Sequence, residues 1–434
     1  MGGERFCSKC DLVIRETIKS SVAVALLLAV LLTGSSGCAT RQKWEGGPIA
    51  RPELIAQEFS PQLITGDPAP PIPTIAPPRH LRPCCAFGTG LHIELSGAQI
   101  PGFSLTNVIG AGDLGPHQYD NGAVSFEQSR PGGDLISIES NGLIYTCRGG
   151  FVDTAHLRDW SDWTLYLSTA IALTLETGTT IDLADEGGKR RIVTQPLHPL
   201  LVAGYGRLPI AVPLAQWLAF QLSVWHEIAT WYGWSSSPMF SEKASAFSPE
   251  DLYSNLLGIK TAAVLIYGNE VTSEAAYNES MNAAIPGLLQ RLGGCPGEVG
   301  QMAMRSVDGL WWDSTVPLPE KALVRRRNMD YGAALTPWLV SRATPSSEST
   351  RKIAEYCKGA DQPIVLQMPD DYAGVPFGEK VRLEIEVSEE LADHEHFPLP
   401  RPGSRLITQE DFPAIISHIR AENEQEFGAD ADHP

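Results

Sequence analysis

Two short stretches bring a histidine and a carboxylate within one helical turn, the pairing that can hold a metal ion or pass a proton. In Gly149-Gly150-Phe151-Val152-Asp153-Thr154-Ala155-His156-Leu157-Arg158-Asp159-Trp160, His156 and Asp159 stand three residues apart. That spacing puts both on one helix face, and the two glycines upstream let backbone approach closely. In Trp225-His226-Glu227-Ile228-Ala229-Thr230, an imidazole and a carboxylate are adjacent in mid-helix.

The second stretch is similar to the HExxH pattern of zinc hydrolases, in which the glutamate activates metal-bound water. Thr230 stands where the second histidine belongs, so the pattern is incomplete. Antiparallel packing of the two helices would repair it. His156, His226 and Asp159 would then be the metal ligands, zinc the metal and Glu227 the general base, with one coordination position open. The competing reading is a metal-free hydrogen-bond network that holds the same helices together.

A third stretch, Ser248-Pro249-Glu250-Asp251, is read first as a helix start in which Ser248 caps, Pro249 takes the first position and Asp251 closes a capping box. Asn255 lies one turn after Asp251 and is a candidate oxygen ligand. Asp153 is read as the N-cap of the His156 helix. Asp153, Glu250, Asp251 and Asn255 are therefore secondary site candidates. Cys147 lies near His156, but in an oxidising compartment a cysteine is more simply half a disulfide. Ser349-Thr350-Arg351-Lys352 fits SxxK without SDN or KTG partners, in a segment read as a loop. There is no GxSxG elbow, phosphate-binding glycine loop or dinucleotide fingerprint. Trp160, Trp163, Trp217, Trp225, Trp231 and Trp234 cluster in or beside the two key helices, serving a core or lining a cleft for sugars or peptides.

The elements that must position these groups are legible in outline. Alternation marks strands at residues 91–95, 134–138 and 142–147, and the period changes to helical from Asp153 to about residue 175. Residues 179–195 read as a hairpin with Asp185-Glu186-Gly187-Gly188 at its tip. A long apolar helix follows Pro213 and stops at Gly233, and further helices cover residues 249–267, 273–292 and 412–427. Val381, Leu383, Ile385 and Val387 alternate as a strand with one wet face. The fold class expected is α+β, a central helical bundle flanked by antiparallel β segments.

The N-terminal region assigns an address. Arg15 and Lys19 precede an apolar run from Val22 to Leu32, and Thr33-Gly34-Ser35-Ser36-Gly37-Cys38 closes it. The run is too short to span a bilayer, which takes about 20 apolar residues, and reads as a lipoprotein signal with Cys38 as the acylated first residue. Ser35 replaces the usual leucine of the lipobox. The expected division is a signal over 1–37, whose Cys7-Ser8-Lys9-Cys10 pair is discarded, and a Pro-rich tether over 38–83. A globular domain over 84–400 and an amphipathic helix with a frayed acidic tail over 401–434 follow. Ala39 gives no inner-membrane retention signal, so the chain is placed on the outer membrane, lipid-anchored and facing the periplasm. Its expected partners are that membrane and an envelope polymer or protein. A formal charge of −18 without a basic stripe excludes nucleic acid. Beyond Cys38, the cysteines Cys84, Cys85, Cys147, Cys295 and Cys357 allow up to two disulfides, with no pairing selected.

Arg82-Pro83-Cys84-Cys85-Ala86-Phe87-Gly88, the block from Cys147-Arg148-Gly149-Gly150 to Asp159, Trp225-His226-Glu227 and Ser248-Pro249-Glu250-Asp251 together resemble an uncharacterised bacterial domain-of-unknown-function family of secreted lipoproteins. The resemblance covers roughly residues 80–400 and implies no activity. The residues alone point to a zinc hydrolase acting on envelope material, such as peptidoglycan, peptide or lipid. The alternative class is a non-catalytic envelope lipoprotein serving as a binding or scaffold module.

Overall fold

The computed structural model describes residues 72–434 apart from 84, 96–97, 122–138, 237–240, 344–346, 369, 373–374, 395 and 402. The signal segment, Cys7, Cys10, Cys38, most of the tether, Cys84 and the strand expected at 134–138 lie outside the described residues.

Strands β1 (Thr89–Leu95) and β2 (Ala98–Thr106) form an antiparallel hairpin. A second hairpin pairs β3 (Leu143–Thr146) with β4 (Gly150–Asp153), Leu143 opposite Asp153 and Thr146 opposite Gly150. Gly150 turns this hairpin at φ +65°, and a Cβ there would lie 2.2 Å from the Trp338 carbonyl oxygen. Strand β4 runs directly into α1 (Thr154–Thr174), whose N-cap Asp153 accepts from the amides of Ala155 and His156. The hairpin β5 (Thr179–Asp182) and β6 (Gly188–Thr194) forms as its turn residues require.

Helices α2 (Pro199–Tyr205), α3 (Arg207–Trp231), α4 (Asp251–Tyr267), α5 (Glu274–Leu292), α6 (Gly297–Ser306) and α7 (Glu348–Tyr356) follow. Strands β7 (Val381–Val387) and β8 (Leu406–Thr408) complete an antiparallel sheet ordered β8-β7-β6-β5, with Ile385 opposite Arg190 and Leu383 opposite Ile192. The last helix is α8 (Phe412–Phe427). The chain is thus α+β, with central helices and small antiparallel sheets around them.

Helices α1, α3 and α4 pack on one another and are buried on nearly every side. An apolar face as broad as that of α3 is what a core helix carries. Although α3 is long and apolar enough to cross a membrane, 83% of its most apolar window lies inside the fold. The α1–α4 crossing is tight: a Cβ on Gly258 would sit 1.9 Å from the Leu157 carbonyl oxygen. Ser161 spans the crossing, donating 2.7 Å to Leu157 O and 2.8 Å to Gly258 O.

Several expectations require correction. Helix α3 begins at Arg207, because Gly206 at φ +84° turns the chain there, and Pro213 lies inside it. Pro209 occupies the first turn instead, where no intrahelical N–H bond is lost. Helix α4 starts at Asp251. The Asp251 carboxylate accepts from Ser248 N at 2.6 Å, but the Ser248 hydroxyl turns back to Ser245 O and caps nothing. The SxxK segment is helical, not a loop, and lies within α7. Trp160, Trp163, Trp225 and Trp231 are buried core side chains, not the wall of a cleft.

The folded body also starts before residue 84: Ile75 and Arg82 are buried. The acidic tail is tied down, with Ala431 O accepting from Arg327 N at 2.8 Å and Asp432 paired to Arg420 at 2.9 Å. Cys147 is bridged to Cys357, 210 residues away, and the Cys295 sulfur lies 3.9 Å from that of Cys147. Cys85 is buried and takes no part in that bridge.

Candidate metal centre

Helix α1 presents His156 in its first turn, where the Asp153 cap fixes the backbone. Helix α3 presents His226 and Glu227 from its last two turns. The two imidazole rings meet edge to face with centroids 5.8 Å apart. His156 is 2% exposed, His226 6% and Glu227 1%, so water has little access to any of them. The ligand atoms of these three residues all lie within 4.8 Å of one another. On a tetrahedral zinc at about 2.0–2.1 Å two ligand atoms stand about 3.4 Å apart, so the trio must draw in by up to about 1.4 Å to share one ion.

The hydrogen bonds around this trio leave selected atoms unpaired. Glu227 Oε2 accepts from Phe247 N at 2.8 Å, while Oε1 has no hydrogen-bond partner. Phe247 makes that bond from φ +54°, a left-handed conformation that a bulky residue adopts at a cost. Neither ring nitrogen of His156 is hydrogen-bonded. Its Nδ1 faces Asp251 Oδ1 at 3.5 Å and Glu227 Oε1 at 4.0 Å, distances of an ion pair without hydrogen-bond geometry. Leaving buried polar atoms unmade costs about 1–3 kcal/mol each, so a cluster of them facing one another calls for a ligand.

His226 is anchored differently. Its Nδ1 lies 2.6 Å from Glu186 Oε1, while Arg190 holds the other oxygen of the same carboxylate. Glu186 is fixed by the hairpin tip, where its carbonyl also accepts from the Trp225 indole at 2.8 Å. Burial works against charge on His226, but the Glu186 bond and charge carry it up to about 9. A carboxylate on one ring nitrogen orients the imidazole and leaves the other nitrogen for a metal, as in carboxylate–histidine–zinc arrangements. Sequence reasoning missed Glu186, because a carboxylate beside two glycines at a hairpin tip reads as solvated. It is 1% exposed.

Asp159 does not join this centre. One turn beyond His156, it instead accepts from Arg82, N to Oδ2 at 2.9 Å and Nη1 to Oδ1 at 2.7 Å. The fully buried Arg82 also binds Glu139 through Nε at 2.6 Å and reaches Asp162 at 3.0 Å. His117 and Tyr277 face Asp162 at 3.1 and 3.0 Å. Burial raises and Arg82 lowers both nearby carboxyls, with opposite net results: Asp159 is pushed up to about 8, and Glu139 is held at about 2. Glu139 therefore contributes stability in full above the ordinary glutamate value of 4.5 and loses it as pH falls toward 2. Asp159 acts in the opposite sense, its contribution falling as pH rises toward 8. Glu139→Gln should flatten the acid limb of a stability–pH curve between about 4.5 and 2. An acid limb as steep as that of the parent would refute this.

Of the secondary candidates, Asp251 faces His156, and Asp153 and Glu250 act on Asp251 electrostatically. Asp153 packs against α4, its amide directed at the Ser254 hydroxyl at 2.9 Å. Glu250, Asp251 and Asn255 are wholly or almost wholly buried. Burial, then repulsion from Asp153, pushes Glu250 well above the usual carboxylate range. Asp251 is raised by burial and by Glu227, Glu250 and Asp153.

A protein-family model described as a protein of unknown function, DUF4056, matches residues 72–341. The chain belongs to the DUF4056 family. The matched span contains both histidine helices, the α4 start and Arg82, so the whole candidate centre lies within the DUF4056 region. Comparison with curated proteins and with solved structures returned no match.

Proposed function

We propose that this chain is a metal-dependent hydrolase whose zinc ion is held by His156, His226 and Glu227. The observation that carries the reading is the unpaired His156 imidazole, buried and facing the free oxygens of Glu227 and Asp251. Zinc would supply Lewis-acid polarisation and lower the pKa of a bound water to about 7. Glu227, proposed from sequence as general base, is better placed as the third ligand. Asp251 lies beside the trio, its Oδ1 facing His156 and otherwise unbonded. Glu186 orients His226 and raises its basicity.

Elemental analysis of the purified full chain should find zinc, lost in His156→Ala and His226→Ala. Glu186→Gln should weaken zinc binding about 10–100-fold. Metal-free protein whose histidine variants only melt earlier would favour the scaffold reading, for which the near-complete burial of the trio speaks.

The substrate class follows from the proposed address, envelope material reached by a protein anchored through acylated Cys38 at the outer membrane. Cys38→Ala should move the chain from the membrane fraction to the soluble one. Persistent membrane association would contradict the anchor.

A further inference from the structure

A second group of buried polar atoms adjoins the zinc trio and is not used by it. Helix α4 begins with Glu250 and Asp251, and Asn255 lies one turn on from Asp251, on the same helix face. All three are at most 2% exposed. Both oxygens of Glu250, Oδ1 of Asp251 and both terminal atoms of the Asn255 amide have no hydrogen-bond partner. An amide with neither its oxygen nor its nitrogen paired is costly in a core, and helix capping does not explain it. The other groups facing this space are Asp153 and Glu227, which act electrostatically on Glu250 and Asp251.

The acidic groups point the same way as the unpaired atoms. Asp153, Glu227, Glu250 and Asp251 bury four carboxyl groups that act on one another electrostatically. The buried cation that acts on Asp251 and Glu227 is Arg327. Its guanidinium is spent on backbone, donating to the carbonyls of Ala246, Ala244 and Lys321. Asp153 is already satisfied by the amides of Ala155, His156 and Cys85. Glu250 and Asp251 are left as oxygen donors without protein cations to meet them.

We infer that the chain holds a second divalent cation, bound by Glu250, Asp251 and the Asn255 carbonyl oxygen beside the zinc trio. Asp251 stands between the two positions, since its Oδ1 also faces His156 at 3.5 Å. An all-oxygen set suits a hard ion such as Mn²⁺ or Mg²⁺, whereas the imidazoles of the neighbouring trio suit zinc. Two adjacent cations are the arrangement that clamps the attacking and leaving oxygens of a displacement at phosphorus or a carbonyl carbon. The inference rests on the zinc reading, because the second position shares Asp251 with the first. It narrows the proposed substrate to a phosphate ester or an acyl or peptide bond.

Manganese titration of the chelator-stripped full chain, followed by calorimetry and electron paramagnetic resonance, tests it. The expected result is two equivalents in the parent, with spin coupling between them. Glu250→Gln should retain one equivalent and weaken the other at least tenfold. Asn255→Ala should weaken the same equivalent, and it guards against a Glu250→Gln protein that fails to fold. One equivalent in the parent, unchanged in either variant, would overturn the second site and leave the first. No equivalent in the parent would overturn the second site, the first being judged separately by zinc content, and loss of both from a folded Glu250→Gln protein would overturn the division into two positions.

Discussion

Replacing Arg82 by Met should cost about 3–5 kcal/mol, the range for breaking a buried ion pair from one side. The reason is local. The guanidinium is fully buried and reaches Glu139, Asp159 and Asp162, while its Nη2 also donates to Gln118 O at 2.8 Å. Removing it strands three carboxylates with Arg158 as the remaining buried guanidinium, and Arg158 lies 3.7 Å from Glu139. Typical domains carry only about 5–15 kcal/mol in total, so the variant should be largely unfolded or strongly shifted in urea denaturation followed by tryptophan fluorescence. A control shows how specific the effect is. Arg79 pairs with Asp120 at 3.6 Å but is 67% exposed, and Arg79→Ala should change stability by less than about 1 kcal/mol. An Arg82→Met midpoint within error of the parent would refute the network.

Gly258→Ala should be strongly disruptive, for a Cβ there makes the closest approach of any at the described glycines. Its new carbon would press on the Leu157 carbonyl at 1.9 Å, a backbone atom that cannot rotate away. Overpacking costs about 1–3 kcal/mol where side chains can yield, and a clash between two helix backbones belongs at or beyond the upper end. Relief requires α1 and α4 to separate. That breaks the Ser161 bridge and draws His156 away from Asp251, so the melting temperature should fall. Gly204→Ala in α2 meets nothing within 4 Å and should stabilise by about 0.5–1 kcal/mol through helix propensity. Equal melting temperatures for the two alanine variants would contradict the crossing geometry.

What the sequence revealed follows from how local each signal is. The Asp153 cap, the α1 span, the hairpin at 179–195, the helix at 273–292 and the last helix are written in adjacent residues, and the structure has them. The approach of His156 to His226 was argued from helix pairing and is present. Asp159 was misassigned because a spacing of three shares a face only approximately. At that crossing one side chain turns toward α3 and α4 while the other turns toward Arg82, 77 residues upstream. Glu186 was invisible for the converse reason, since its burial depends on Trp225 and His226 closing over a turn that looks solvent-facing. The start of α3 was misplaced because Pro213 offered a first-turn signal, and Gly206 with Pro209 offered an earlier one. The Cys147–Cys357 bridge joins segments 210 residues apart, a pairing that no local pattern encodes.

Zinc-edge X-ray absorption of the purified full chain tests the central claim most directly, because it identifies the atoms around the metal. Cys147, Cys295 and Cys357 also lie together, but two of them are joined in the disulfide, so sulfur ligation there would require that bridge to be reduced. The account predicts two imidazoles with oxygen donors near 2.0–2.1 Å and no sulfur. Sulfur at about 2.3 Å, or protein that carries no zinc, would contradict it.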